Sequence, residues 1–177
     1  INLVSIASYD NYHFYQIEKG LKNKKNLIIE KPLCLNLSEL KKNKNLLQKN
    51  KNISITSNLV LRVNSLFQKL KKITNNINKI YYIEGDYIWG RRQKLYGWRS
   101  KIKNYSLIHG AAIHMIDLIM WLTGLKPKTV YCVGKKKFTK NSKFKKNNLV
   151  VILFEFPKDI LVKVSANALA THNHFHE

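Results

Sequence analysis

Proton transfer on a small molecule needs a group that gives or takes the proton beside one that holds developing charge, and two segments supply such groups. Glu30-Lys31-Pro32 closes the apolar run Leu27-Ile28-Ile29. That puts a carboxylate and an ammonium at the carboxyl end of a buried strand, where ligands of open parallel sheets sit. There the pair could hold a ribose or an amide and polarise a hydroxyl; as a bare Glu-Lys pair it could equally be a solvated surface partnership. The polar stretch Ser8-Tyr9-Asp10-Asn11-Tyr12-His13 follows an earlier apolar run, Leu3 to Ala7, and reaches the same edge. In the second segment, Gly110, His114, Asp117 and Trp121 are spaced by four, three and four, so they share one helix face beside the apolar Ile113, Ile116 and Met120. An imidazole and a carboxylate on an apolar helix are costly to bury without partners. A structural His114–Asp117 pair and a proton-transfer site both meet that demand.

Metal chemistry is not expected. Neither His-x₃-His nor Cys-x₂-Cys accompanies His114, and the alternating His172, His174 and His176 near the end are the sole metal-like tract. Two cysteines, Cys34 and Cys132, are too few for a disulfide framework, which points to a reducing, cytoplasmic setting. The longest apolar runs, such as Leu149 to Phe154, fall far short of the ~20 residues of a membrane-spanning helix.

The formal charge of +22 has a compositional explanation. The basic residues are 28 Lys against 4 Arg, with 20 Asn and 19 Ile among 177 residues, and all three abundant types have A/T-rich codons. Nucleic-acid sites lean on arginine for bidentate contacts, and the lysines here fall mostly at helix ends and loops. No nucleic-acid partner is expected from charge alone.

These groups need elements to position them. Leu3 to Ala7, Leu27 to Ile29 and Ile53 to Thr56 read as strands. Between them lie a helix capped by Asp10 or Asn11, with Phe14, Ile17 and Leu21 inward, and one started by the capping pair Asn36 and Glu39, with Leu37, Leu40 and Leu47 as its stripe. Strand–helix–strand–helix–strand at these spacings gives right-handed crossovers in a parallel sheet. The pattern then changes. A helical stripe runs through Leu59, Val63, Leu66, Phe67, Leu70 and Ile73, and Lys79 to Trp89 reads as a long strand. Ser106 to Thr123 is a helix stopped by Gly124. Strands follow at Thr129 to Val133, Leu149 to Phe156 and Ile160 to Ala166, the last two joined through Pro157-Lys158-Asp159. The fold class is α/β: the C-terminal half of a Rossmann domain over 1–57, then an α+β domain with a mostly antiparallel sheet over 58–177.

Ile6-Ala7-Ser8 with His13 and the later Ile29-Glu30-Lys31-Pro32 resemble the second half of the nucleotide-binding domain of the Gfo/Idh/MocA oxidoreductases. Trp98-Arg99, Gly110-Ala111-Ala112-Ile113-His114-Met115-Ile116-Asp117 and Trp121-Leu122-Thr123-Gly124 resemble that family's His-x-x-Asp helix. The order and spacing of both blocks match across nearly the whole chain. The resemblance implies NAD or NADP as cofactor, a sugar-like small-molecule substrate and a homo-oligomer when full length. It implies that Ser8, Tyr9 and His13 line the cofactor crevice, that Glu30 approaches the nicotinamide ribose or carboxamide, and that Trp98 and Arg99 reach the cofactor from the second domain. Lys31 would contact the cofactor and bind the reacting hydroxyl or carbonyl of the substrate, His114 would act as acid and base, and Asp117 would orient substrate or the histidine. Lys31 and His114 are then expected at one crevice, and the Lys31–Pro32 peptide is expected to be cis. Two departures stand out. The chain begins inside a later strand, without the glycine-rich phosphate turn, and so reads as a fragment. Gly110 stands where many sugar-alcohol dehydrogenases of the family carry aspartate. Rival readings are a non-catalytic relative and a basic nucleic-acid-binding α/β module.

Overall fold

The computed structural model describes residues 1–76, 79–137 and 139–171; His172, His174 and His176 lie outside them. Two compact units divide the chain, Ile1–Leu59 and Val60–Glu177.

In the first unit, β1 (Leu3–Ile6), β2 (Asn26–Ile29) and β3 (Ile55–Ser57) form a parallel sheet in the order β1-β2-β3, with α1 (His13–Lys22) and α2 (Leu37–Gln48) as crossovers. Ile6, Ile29 and Ser57 stand in register at its carboxyl edge. The segments that follow them, from Ala7, Glu30 and Asn58, therefore leave the sheet side by side. The core joins Ile6, Leu27 and Ile29 of the sheet to Ile17 and Leu21 of α1, each such burial being worth roughly 1.5–3 kcal/mol.

In the second unit, a 3₁₀ turn at Val60–Val63 leads into α3 (Ser65–Asn76) and β4 (Tyr82–Ile88). Two further 3₁₀ turns, Arg92–Leu95 and Trp98–Lys101, lead to a π-helical turn at Ile108–Ala112, and this runs into α4 (Ile113–Thr123). The sheet is completed by β5 (Thr129–Lys135), β6 (Leu149–Phe156) and β7 (Ile160–Asn167), in the order β4-β7-β6-β5. Two of its three pairings are antiparallel, and β4 joins β7 in parallel. Val150, Ile152, Phe154 and Phe156 of β6 alternate inward with Ile160, Val162, Val164 and Ala166 of β7, as a half-buried sheet requires. Leu118, Ile119 and Leu122 of α4 are buried as well. Lys71 of α3 donates to the carbonyls of Trp121 and Leu122 at 2.7 and 2.8 Å, satisfying the carboxyl end of α4, and its ammonium lies 5.6 Å from the Trp121 ring centre. Gly124 then ends the helix at φ 68°, a conformation that glycine adopts without cost.

Four local expectations change. Tyr12, not Asp10 or Asn11, holds the cap position of α1, with no side-chain hydrogen bond, while Asp10 is buried. Asn36 does accept from the Glu39 N–H at 2.9 Å, but Glu39 reaches back to the N–H of Leu35, one residue before the cap. Leu37 and Leu40 point outward, Leu37 at 73% exposure, and the inward face of α2 carries Asn43 with the half-buried Leu46 and Leu47. The apolar stripe ahead of β4 begins in a 3₁₀ turn, and Val63, Leu66, Leu70 and Ile73 are exposed.

Candidate functional site

At the carboxyl edge of the first sheet, the Ser8 hydroxyl donates to Gln16 Oε1 at 2.7 Å, and the half-exposed Tyr9 and Tyr12 rings stack at 6.5 Å. Glu30 is held by the side-chain amide of Asn58, whose own N–H donates to the Ile29 carbonyl at 2.8 Å. Lys31 is half-buried and its peptide to Pro32 is cis. His13 is placed beneath this edge, not on it. It is fully buried, with Nδ1 2.7 Å from the Pro32 carbonyl and Nε2 3.1 Å from the Ser8 carbonyl. A neutral ring donates to one of these oxygens and an imidazolium to both. Either way the ring ties the segment after β1 to the segment after β2, which carries Glu30 and Lys31. Next to them, Cys34 is pushed above the ordinary thiol range by burial, and further by the Glu39 carboxylate.

This edge suits the nucleoside half of a dinucleotide. A hydroxyl, a carboxylate oriented by Asn58 and an ammonium are the donors and acceptors that ribose hydroxyls and a carboxamide require. The helix that follows β1 starts at His13 without a glycine turn, so these residues supply no cradle for a diphosphate.

In the second unit the residues of the proposed helix face have separate partners. His114 is 8% exposed, and the Tyr87 ring of β4 lies over it, centroids 5.3 Å apart and planes 14° from parallel. Burial holds the Tyr87 phenol above its ordinary range, with Arg91 pulling it the other way. Asp117 is held in a two-point pair by Arg62, whose Nε donates to Oδ2 at 2.7 Å while an Nη donates to Oδ1. That hydrogen bond keeps the guanidinium above its ordinary range. Gly110 does not leave open room: the Tyr105 hydroxyl lies 1.9 Å from where a Cβ on residue 110 would be built. His109 receives or gives a hydrogen bond at Ser106 Oγ, 2.9 Å away. Trp98 and Arg99 form a unit of their own, the guanidinium stacked 4.1 Å from the indole centre.

Sequence reasoning missed Asn58, Arg62, Tyr87 and Tyr105. Tyr87 had a signal, since Ile83, Gly85 and Tyr87 alternate along β4. Arg62 and Asp117 are 55 positions apart, and nothing local connects them. Among the described residues, no group of three or more His, Cys, Asp or Glu side chains could hold a metal ion, and no helix is long and apolar enough to cross a membrane.

Comparison with known proteins places both units. Residues 1–58 match the family model described as an oxidoreductase family with an NAD-binding Rossmann fold, and residues 67–177 match the GFO/IDH/MocA C-terminal domain. No curated protein matches the chain. Among solved structures, myo-inositol 2-dehydrogenase from Lactobacillus plantarum is similar at 20% identity and TM-score 0.86, over 95% of this chain and 52% of that one. Scyllo-inositol dehydrogenase from Lactobacillus casei with bound NAD(H) and scyllo-inositol is similar at 20% identity and TM-score 0.81, over 95% and 52%. An inositol dehydrogenase homolog complexed with NAD+ from Azotobacter vinelandii gives 17% and 0.86, over 98% and 47%. The chain thus spans about half the length of the solved relatives it matches.

Proposed function

Because the chain belongs to the GFO/IDH/MocA oxidoreductase family, we propose that it serves an NAD(P)-dependent oxidoreductase acting on the CH–OH group of a sugar or cyclitol. The observation that carries this reading is His114, buried at the head of α4 under the Tyr87 ring. An imidazole fixed in that way can take a hydroxyl proton and return it.

Ser8, Tyr9 and Glu30 would hold the nucleoside half of the cofactor, with Trp98 and Arg99 contributing from the second unit. A nicotinamide held there would supply the hydride chemistry that interconverts a carbinol and a carbonyl. Lys31 would donate to the substrate oxygen and stabilise its developing negative charge, as a preorganised cation does at low cost in reorganisation. His114 would receive the hydroxyl proton, leaving a carbonyl on the substrate. Asp117, held by Arg62, would orient the substrate or the histidine. His13 supports the edge from below by fixing the segment that carries Lys31. The inositol dehydrogenases among the similar structures support a polyol substrate, and the two solved with NAD support a nicotinamide. Cytoplasmic residence and a homo-oligomeric full-length protein complete the proposal.

The test is nicotinamide absorbance with the full-length protein, NAD+ or NADP+, and a panel of cyclitols, neutral sugars and phosphorylated or nucleotide-linked sugars. Reduction with at least one member supports the reading. Cofactor binding with no reduction across the panel would favour a non-catalytic relative.

A further inference from the structure

We propose that the cavity between the Ser100 to Lys103 turn and the Lys143 to Lys146 loop binds a small molecule bearing a phosphate group. The hollow measures about 740 Å³, within the size range of small-molecule sites. Five lysines, Lys101, Lys103, Lys143, Lys145 and Lys146, line it together with Tyr105 and Phe144. These two rings are 1% and 2% exposed and meet edge to face at 6.3 Å.

In so lysine-rich a chain a basic surface is ordinary, and three observations separate this one from a solvated face. First, the loop is fixed. Ser142 Oγ donates to the Leu95 carbonyl, and the fully buried Asn148 bonds both the N–H of Lys137, at 3.1 Å, and its carbonyl, at 2.7 Å. An anchored backbone loses less freedom than a mobile one when the loop binds an anion. Second, among the described residues no carboxylate lines the cavity. Four acids of this unit are engaged elsewhere: Asp117 with Arg62, Glu84 with Lys163, Asp86 with Ser165 and Glu155 with Thr129. Positive charge gathered without counter-charge favours an anion. Third, the cavity touches the turn that leads to His114, because its wall residue Tyr105 ends against Gly110. The loop leaves the sheet at Lys135 and rejoins it at Leu149, across the ladder from Asn167 and Ile88. That is the end of the sheet at which β4 delivers Tyr87.

The phosphate could belong to a sugar phosphate or nucleotide-linked sugar, or to a dinucleotide. The site does not depend on hydride transfer, so binding is measured apart from turnover. The experiment is calorimetry on the full-length protein at physiological salt, with inorganic pyrophosphate as probe and UDP and NAD+ as competing arms. We expect saturable one-to-one binding of pyrophosphate. The double variant Lys101→Gln/Lys145→Gln should weaken it by about tenfold or more, and Lys41→Gln/Lys42→Gln on α2 should leave it unchanged. Displacement by UDP but not NAD+ assigns the site to a phosphorylated substrate, and displacement by NAD+ assigns it to the cofactor. Both support a phosphate site. No saturable binding, equal weakening by the two double variants, or binding of an oligonucleotide without pyrophosphate would overturn it. All four lysines are exposed, and thermal melts of the variants check that the fold is retained.

Discussion

The phenol oxygen of Tyr105 occupies the space of the side chain that residue 110 lacks. A Cβ there would lie 1.9 Å from Oη and 2.8 Å from Cζ, while the tyrosine is 1% exposed and braced by Phe144. Tyr105 and Gly110 thus form one steric unit on the turn that precedes His114. The glycine is required by the approach of the ring, because a buried aromatic cannot be displaced without disturbing close packing around it.

Gly110→Ala should destabilise the second unit by about 1–3 kcal/mol, the usual cost of forcing atoms into a filled site. In a Tyr105→Leu background, where no hydroxyl reaches position 110, the same change should cost little. Denaturant unfolding of the four proteins measures the coupling. Equal costs in both backgrounds would show that the ring does not set the requirement.

His13→Leu should remove the donors facing the Ser8 and Pro32 carbonyls. Leaving a buried carbonyl without its partner costs about 1–3 kcal/mol. We expect a loss in that range from urea unfolding, with faster amide hydrogen exchange in the segments following β1 and β2. Exchange rates equal to the parent's would sever the link between His13 and the segment carrying Lys31.

Acid should weaken the second sheet in part through Glu84. Hydrogen bonds from Lys163, and then from Tyr82, hold this carboxyl below its ordinary range. A native pKa below the unfolded one gives stability that is present above the unfolded value and is lost as pH falls through the native value. Glu84→Gln should therefore melt below the parent at neutral pH and meet it in strong acid, with the gap narrowing in high salt because the pair is exposed. Parallel melting curves at every pH would contradict this.

Alkylation should separate the two thiols. Cys132 is exposed on β5, whereas Cys34 is half-buried and its thiol is pushed up by burial and by Glu39. Since thiolate is the nucleophile, iodoacetamide under mildly alkaline conditions should label Cys132 well before Cys34, as peptide mass spectrometry would record. The reverse order would mean that the pocket around Cys34 opens more readily than its packing implies.

Much of this fold was legible because its signals are local. Proline after Glu30-Lys31 stops a strand, Asn36 caps α2, Gly124 ends α4, and the alternation in β6 and β7 marks an inward face. Periodicity was less informative about what an apolar face meets. Leu37, Leu40 and Leu47 made a stripe on paper, yet of the three only Leu47 turns inward, beside Leu46. At the site, the polar residues following β1 and β2 could be found, since a strand's end is readable. The partners that decide their roles could not. Arg62 on Asp117, Tyr87 on His114 and Tyr105 against Gly110 are meetings between segments distant in sequence or set by a close approach that spacing does not encode.

In the proposed reaction His114 moves the substrate proton while the first unit holds the cofactor. The most direct measurement is turnover and NAD(P) affinity of full-length His114→Ala beside Lys31→Met, on the substrate identified by the panel. Positioned acid–base groups typically contribute ~10²–10⁴-fold, so both variants should lose turnover by that order, while His114→Ala binds NAD(P) as the parent does. His114→Ala turning over at the parent rate would contradict the account.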